Sequence, residues 1–355
     1  MRKIRMICAM GLMAIAAAGY APEASASPAC DEIFWLGGDI SGTTADEARG
    51  HFTMNSAGER VETTRLMKDY GMNATRLRVW VNPKDGFSNP QDVLKMALRS
   101  KELGMPVMVD FHYSDWWADP GKQNIPAAWK DMDYQQMQKA LAEHTRSTLQ
   151  LLKDNGVDVK WVQVGNETTH GMLWPMGRFE ENPKQYAGLT KAGAAAVKEV
   201  YPDAKVIIHL DDGFDQGLYD RVFDSLKANG VEWDIIGMSV YPFWALEGKK
   251  QDSEIMTLVN SIANIRHLKE KYGSDVMIVE VGVDARDPKP GKQFIKAIIK
   301  SARELTDGAC KGVFYWAPEC DAEAAYHLGA FSKGKPTEIM DAFKEAATEK
   351  PACRR

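Results

Sequence analysis

Trp161-Val162-Gln163-Val164-Gly165-Asn166-Glu167 is an apolar run that halts on a glycine, an amide and a carboxylate. A parallel strand covered on both faces reads as nearly continuous apolar sequence. A Glu at its carboxyl end lies where a barrel of such strands exposes its chemistry. Taken alone, Glu167 could equally well cap the loop that follows. The rest of the chain decides between the two.

On both sides of this stretch, segments of strand character alternate with segments of helical period. Strands are expected at 34–40, 74–79, 107–112, 159–164, 205–210, 235–241, 276–281 and 312–316. Helices are expected at 59–70, 91–103, 134–153, 183–200, 216–229, 253–272, 292–305 and 337–347. Leu141, Thr145, Thr148 and Leu152 share one face of the third helix, and Gly71, Gly104 and Gly156 stand where helices should stop. Eight strand–helix pairs predict an α/β fold, a single (β/α)8 TIM barrel. No repeat, low-complexity tract or linker divides the chain, so one catalytic domain is expected over 27–355.

Composition narrows the function. The 355 residues are 45% hydrophobic and 26% charged, ordinary for a globular protein with a self-sufficient core. Net charge is −5 with no lysine or arginine stripe, which argues against nucleic acid as a partner. Ten Trp, several in loops beside polar residues, supply flat apolar faces suited to stacking on sugar rings.

The N-terminus reads as a signal peptide over 1–26. Arg2, Lys3 and Arg5 precede an apolar stretch at 6–18, and Ala24-Ser25-Ala26 offers a cleavage site. That stretch is too short for a permanent span, and no other run approaches 18 apolar residues. A secreted or periplasmic monomer is expected. Acylation at Cys30 is the lesser alternative, because Ser27-Pro28-Ala29 matches the usual lipoprotein box poorly. Cys310 and Cys320 bracket strand eight and should lie roughly 25–30 Å apart if extended, too far for a bond that needs Cα atoms within about 7 Å. One disulfide among Cys30, Cys310 and Cys353 is therefore expected, with Cys320 left as a thiol on the catalytic side.

The barrel places the strand ends on one face. They are Asp39, Arg76 and Arg78, the segment from His112 to Trp116, Asn166 and Glu167, His209 and Asp211, Tyr241, Glu280, and Trp316. Carboxylates, arginines, histidines and aromatics gather there, whereas Gly, Asp, Lys and Val flank the opposite ends. Core packing does not produce that asymmetry. Glu280 ends Val276-Met277-Ile278-Val279 as Glu167 ends its own strand, so two glutamates face each other across the barrel mouth.

Glycoside hydrolysis uses such a pair, set roughly 5–5.5 Å apart when the anomeric configuration is retained. One carboxyl must hold its proton while the other stays ionised. The arginines on strand two could keep the nucleophile charged, and Asn166 could hold a sugar hydroxyl. Tyr241 could donate to the nucleophile or be an ordinary rim aromatic. Trp116, Trp174, Trp244 and Trp316 are candidate stacking platforms. His112, Asp115 and the nearby Asp110 raise the question of a metal. No second His-rich strand completes a ligand set, so sugar hydrogen bonding is the preferred role for His112 and Asp115, and likewise for His209 and Asp211.

The same residues carry a resemblance. Asn166-Glu167 after strand four and Glu280 on strand seven resemble the retaining (β/α)8 glycosidase clan, and within it glycoside hydrolase family 53, the arabinogalactan endo-β-1,4-galactanases. The motifs are 38–41 (GDIS), 76–80 (RLRVW), 110–115 (DFHYSD), 117–123 (WADPGKQ), 162–167 (VQVGNE), 171–175 (GMLWP), 239–244 (SVYPFW) and 314–316 (FYW). They span nearly the whole mature chain, and 110–123 is the most specific. The resemblance implies Glu167 as acid/base, Glu280 as nucleophile, and β-1,4-galactan of type I arabinogalactan in pectin as substrate. No cofactor is required; a structural calcium is known among bacterial relatives, but no ligand set for it stands out here. The chain departs from the family pattern at Trp116, at 281–284 (VGVD) and at 317–319 (APE), positions that flank subsites. The competing functions are a retaining hydrolase of another β-1,4-glycan such as mannan or glucan, a non-catalytic galactan-binding barrel, and a Schiff-base lyase or aldolase. The last needs a lysine at a strand end, and none is there.

Overall fold

A computed structural model describes residues 33–349. Eight parallel strands close a barrel in sequential order: β1 (Trp35–Asp39), β2 (Ala74–Val79), β3 (Val107–Phe111), β4 (Val159–Val164), β5 (Lys205–Leu210), β6 (Ile235–Val240), β7 (Asp275–Val281) and β8 (Cys310–Trp316), which returns to pair with β1. Around it lie α1 (Thr63–Asp69), α2 (Pro90–Glu102), α3 (Tyr134–Asp154), α4 (Pro183–Val200), α5 (Gln216–Ala228), α6 (Glu254–Tyr272), α7 (Pro288–Glu304) and α8 (Asp341–Thr348). This is the (β/α)8 barrel expected from the sequence. Two short helices, Thr43–Ala48 and Pro242–Glu247, and two small hairpins at 171–178 and 331–336 decorate the loops.

Local chemistry sets the element ends. Asp133 and Gln136 form a reciprocal capping box at the start of α3, and Pro183 and Pro288 occupy first turns, where a missing N–H costs nothing. Among the described residues no helix is long and apolar enough to cross a membrane.

Two cores result. The larger lies between strands and helices. The smaller plugs the barrel from within, built from Ala74, Met108, Trp161, Ile207, Ile235, Met277, Val279 and Phe314, with Trp35 packed against it. Gly37 makes room for the plug: a Cβ there would lie 2.1 Å from the Phe314 ring. The plug turns the lower barrel into a solid floor. Inward positions one layer higher are polar, and the site is built on them.

Of the cysteines, Cys320 is the free thiol that the sequence led us to expect, and Cys310, buried at the start of β8, takes no part in a disulfide. Cys30, Cys353 and the leader lie outside the described residues.

Candidate active site

Arg76 is the centre of the polar layer. Its side chain is fully buried and reaches five groups: Asp39 at 2.6 Å, Asp110 at 3.0 Å, Glu280 at 2.8 Å, Gln163 at 2.7 Å and Asn166 at 2.9 Å. A guanidinium has five donors in a rigid fork, so one residue can hold carboxylates from three strands in fixed positions. Arg78, two residues on, is also buried. It lies between the rings of Trp80 and Trp117, 4.5 and 4.0 Å from their centroids, and donates to Ser88.

The two glutamates reach the site by different backbone devices. Glu167 follows Gly165, whose φ of +95° excludes most side chains, and is itself left-handed at φ 45°, ψ 54°. A non-glycine residue held there is strained, and such strain clusters at functional sites. Glu280 arrives through a bulge. Met238 pairs with Ile278 but Ser239 pairs with Glu280, so Val279 is an extra residue in β7. Val279 points into the barrel plug, and the bulge turns Glu280 inward as well.

Their surroundings differ in the way acid/base chemistry requires. Tyr241 donates to Glu280 Oε2 at 2.9 Å while Arg76 holds Oε1. Ser239 donates to Glu167 Oε1 at 2.6 Å, and among the described residues no cation pairs with Glu167. Burial, and then the charges of Glu280 and Asp211, push Glu167 well above the ordinary carboxylate range. Burial pushes Glu280 up to about 7 against the pull of Arg76, with Asp110 and Asp39 adding to the rise. Of the two, Glu280 has the partners that favour its anion, so it ionises first and Glu167 keeps its proton. Burial also works to raise Asp110, but Arg76 and His112 outweigh it and hold that carboxyl at about 2.

A cavity of about 490 Å³ opens over the pair, lined among others by His112, Asn166, Asp211, Tyr241, Trp244 and Trp316. A larger hollow of about 680 Å³ lies beside α4 and α5 at the other end of the barrel, but its Asp234 is tied up by Lys198 and Lys205. The chemistry belongs to the smaller space.

Several candidate residues stand behind its wall. Asp39, Arg76, Arg78 and His209 are buried beneath it. Asp115 accepts from the backbone of Asn82 and Ala127 and so orders a loop. Trp116 is half exposed and lies on Trp80, and Trp174 is turned toward His170 and Arg178. Asn166 borders the cavity with both ends of its amide already engaged, by Arg76 and by the Ala118 carbonyl. Sequence reasoning missed Gln163, Ser239, Trp117, Lys250 and Tyr326. Gln163 and Ser239 carried a signal, as polar residues at inward positions of otherwise apolar strands. Tyr326 comes from the loop after β8, where no pattern marks it. Among the described residues no cluster of three or more His, Cys, Asp or Glu is placed to hold a metal ion.

The sequence profile of Glycosyl hydrolase family 53 matches residues 35–351. The chain belongs to glycosyl hydrolase family 53. It is a glycoside hydrolase, and the family 53 relatives agree in extent with the barrel. An uncharacterized protein encoded in the bgaB 5′ region of Niallia circulans is 34% identical over 318 residues, covering 81% of this chain and 84% of its own length. A probable arabinogalactan endo-β-1,4-galactanase A of Neosartorya fischeri is 31% identical, covering 84% and 88%. The endo-β-1,4-galactanase of Bacillus subtilis is 31% identical, covering 80% and 70%. Among solved structures, a fungal β-1,4-galactanase superposes with a TM-score of 0.79 at 26% identity, covering 88% of this chain and 99% of its own. The family 53 catalytic domain of Ignisphaera aggregans superposes with a TM-score of 0.79 at 27% identity, covering 88% and 96%.

Proposed function

We propose that the protein is an endo-acting β-1,4-galactanase that cleaves the galactan of type I arabinogalactan by double displacement. The observation that carries the mechanism is the unequal partnering of one buried pair. Glu280 is held by Arg76 and Tyr241, whereas the Glu167 carboxyl is met, among the described residues, by the Ser239 hydroxyl and no cation. Glu280 attacks the anomeric carbon while Glu167 gives its proton to the departing glycosidic oxygen, leaving a glycosyl ester on Glu280. Glu167 then takes a proton from water, which displaces Glu280 and releases the sugar with its configuration retained. No cofactor enters these steps. The substrate reading draws on the galactanase relatives, and Trp244 and Trp316 on the cavity wall offer faces for sugar rings. Cleavage after Ala26 would deliver the enzyme outside the cytoplasm, where a pectic polymer is met.

Purified enzyme incubated with β-1,4-galactan, mannan, cellulose and xylan tests the substrate. Soluble galacto-oligosaccharides from the first alone are expected, and release from mannan or cellulose at equal rate would overturn the assignment. Proton NMR of the first product tests the mechanism: the β-anomer should appear first, and the α-anomer would mean inversion. Amino-terminal sequencing of the exported protein should begin near Ser27.

A further inference from the structure

A hydrogen-bonded path runs through the polar floor from one glutamate to the other, and its direction can be worked out from one end. Arg76 is the fixed point, because a guanidinium only donates and keeps its charge. It meets Glu280 Oε1 at 2.8 Å, and its Nε donates to Gln163 Oε1 at 2.7 Å. That bond orients the amide. Gln163 Nε2 then faces Asp110 Oδ1 at 3.1 Å and His209 Nδ1 at 2.9 Å. Turning the amide over would set a donor against Arg76 and an oxygen against a carboxylate.

The Glu167 backbone N–H also points at His209 Nδ1, from 3.3 Å. Two donors converge on this nitrogen, so it is bare and the ring proton sits on Nε2. Asn166 Oδ1 also lies 3.1 Å from this nitrogen and accepts from Arg76; a protonated Nδ1 would gain that one acceptor but would set its hydrogen against both the Gln163 and the Glu167 donors. Burial and the nearby Arg76 charge keep the ring neutral. Nε2–H therefore donates to Ser239 Oγ at 2.8 Å, and the Ser239 proton is left one acceptor, Glu167 Oε1 at 2.6 Å.

We infer that Ser239 is a positioning residue whose hydroxyl permanently occupies Glu167 Oε1, so that the transferable proton is carried by Oε2 alone. The inference rests on Glu167 being the proton donor. With the opposite polarity, Glu167 would donate to Ser239, and its proton would point into the floor and away from the cavity. The path thus makes Gln163 and His209 the residues that choose the delivering oxygen, although neither lines the cavity. Glu280 from β7, Asp211 from the end of β5, Asp119 from the loop after β3, Tyr241 after β6 and Tyr219 on α5 also face Glu167. A Ser239→Ala change leaves all of them in place.

The two polarities predict opposite signs. With the assigned direction, Ser239→Ala removes a donor that favours the Glu167 carboxylate. The basic limb of kcat/KM on galactan then moves up by about 0.5–1 pH unit. With the reverse direction the substitution removes an acceptor from the protonated form, and the limb moves down. A limb that stays or falls overturns the inference, provided the variant melts as a folded protein. A second measurement needs no turnover. In wild-type enzyme labelled with 15N-histidine, His209 should show an unprotonated Nδ1 and a protonated Nε2, and the reverse tautomer overturns the assignment. If wild-type enzyme releases nothing from galactan, the substrate reading has failed instead, and the tautomer measurement still decides the direction.

Discussion

At the scale of single residues, the site depends on how each glutamate is partnered. Tyr241 stabilises the ionised form of Glu280, so Tyr241→Phe should move the acid limb of the pH–rate profile upward and lower kcat/KM about tenfold. A profile superimposable on wild type would remove Tyr241 from the mechanism. Glu167→Ala should lose roughly 10²–10⁴ in turnover of galactan. It should lose far less on an aryl galactobioside with an acidic phenol, whose departure needs no proton. Both glutamates were legible because each ends an apolar run. Their immediate partners were less so. Strict alternation from Met277 to Val279 points Glu280 outward, and only the register shift opposite Ser239 turns it inward. His209 and Asp39 were expected to touch sugar because they end strands. A linear pattern marks a strand end but does not say whether a side chain stops at the wall or beneath it, and both lie beneath.

At the scale of elements, periodicity located all eight strands and all eight major helices, because each buries one stripe or two faces against the same closed barrel. The misfits were at the ends. α7 starts at Pro288, earlier than the expected residue 292, because proline is tolerated in a first turn. α1 starts at Thr63, after the Glu62 side chain caps it, and not at residue 59. The short helix Pro242–Glu247 is too brief to show a period. The end of β4 makes a testable element. A Cβ on Gly165 would lie 2.5 Å from Thr168 Cγ2, and Thr168 is pinned by Tyr186 and by the His209 carbonyl. Gly165→Ala should cost about 1–3 kcal/mol in urea denaturation. It should also depress activity, because the same turn carries Glu167.

At the scale of the whole molecule, the barrel gives up stability to keep charge in its mouth. The folded-state value of Glu280 lies near 7, above that of an unfolded chain, so the fold holds this proton more tightly than the unfolded state does. Stability from this group is therefore present at low pH and is lost as pH rises from about 4 to about 7. Glu280→Gln should raise stability by about 1–3 kcal/mol at pH 8 and leave it nearly unchanged at pH 4, because Arg76 keeps Asp39 and Asp110 either way. Calorimetry at the two pH values checks the sign, and equal gains at both would contradict it. The asymmetry has a consequence in time. Once Glu280 carries a sugar ester its negative charge is gone, and with it the largest electrostatic reason for Glu167 to hold a proton. In the proposed double displacement, the first half-reaction would therefore reset the second carboxyl from acid to base. Hydrolysis of that ester would return the charge to Glu280, so the site would register which half of the cycle it is in through the ionisation of one carboxylate.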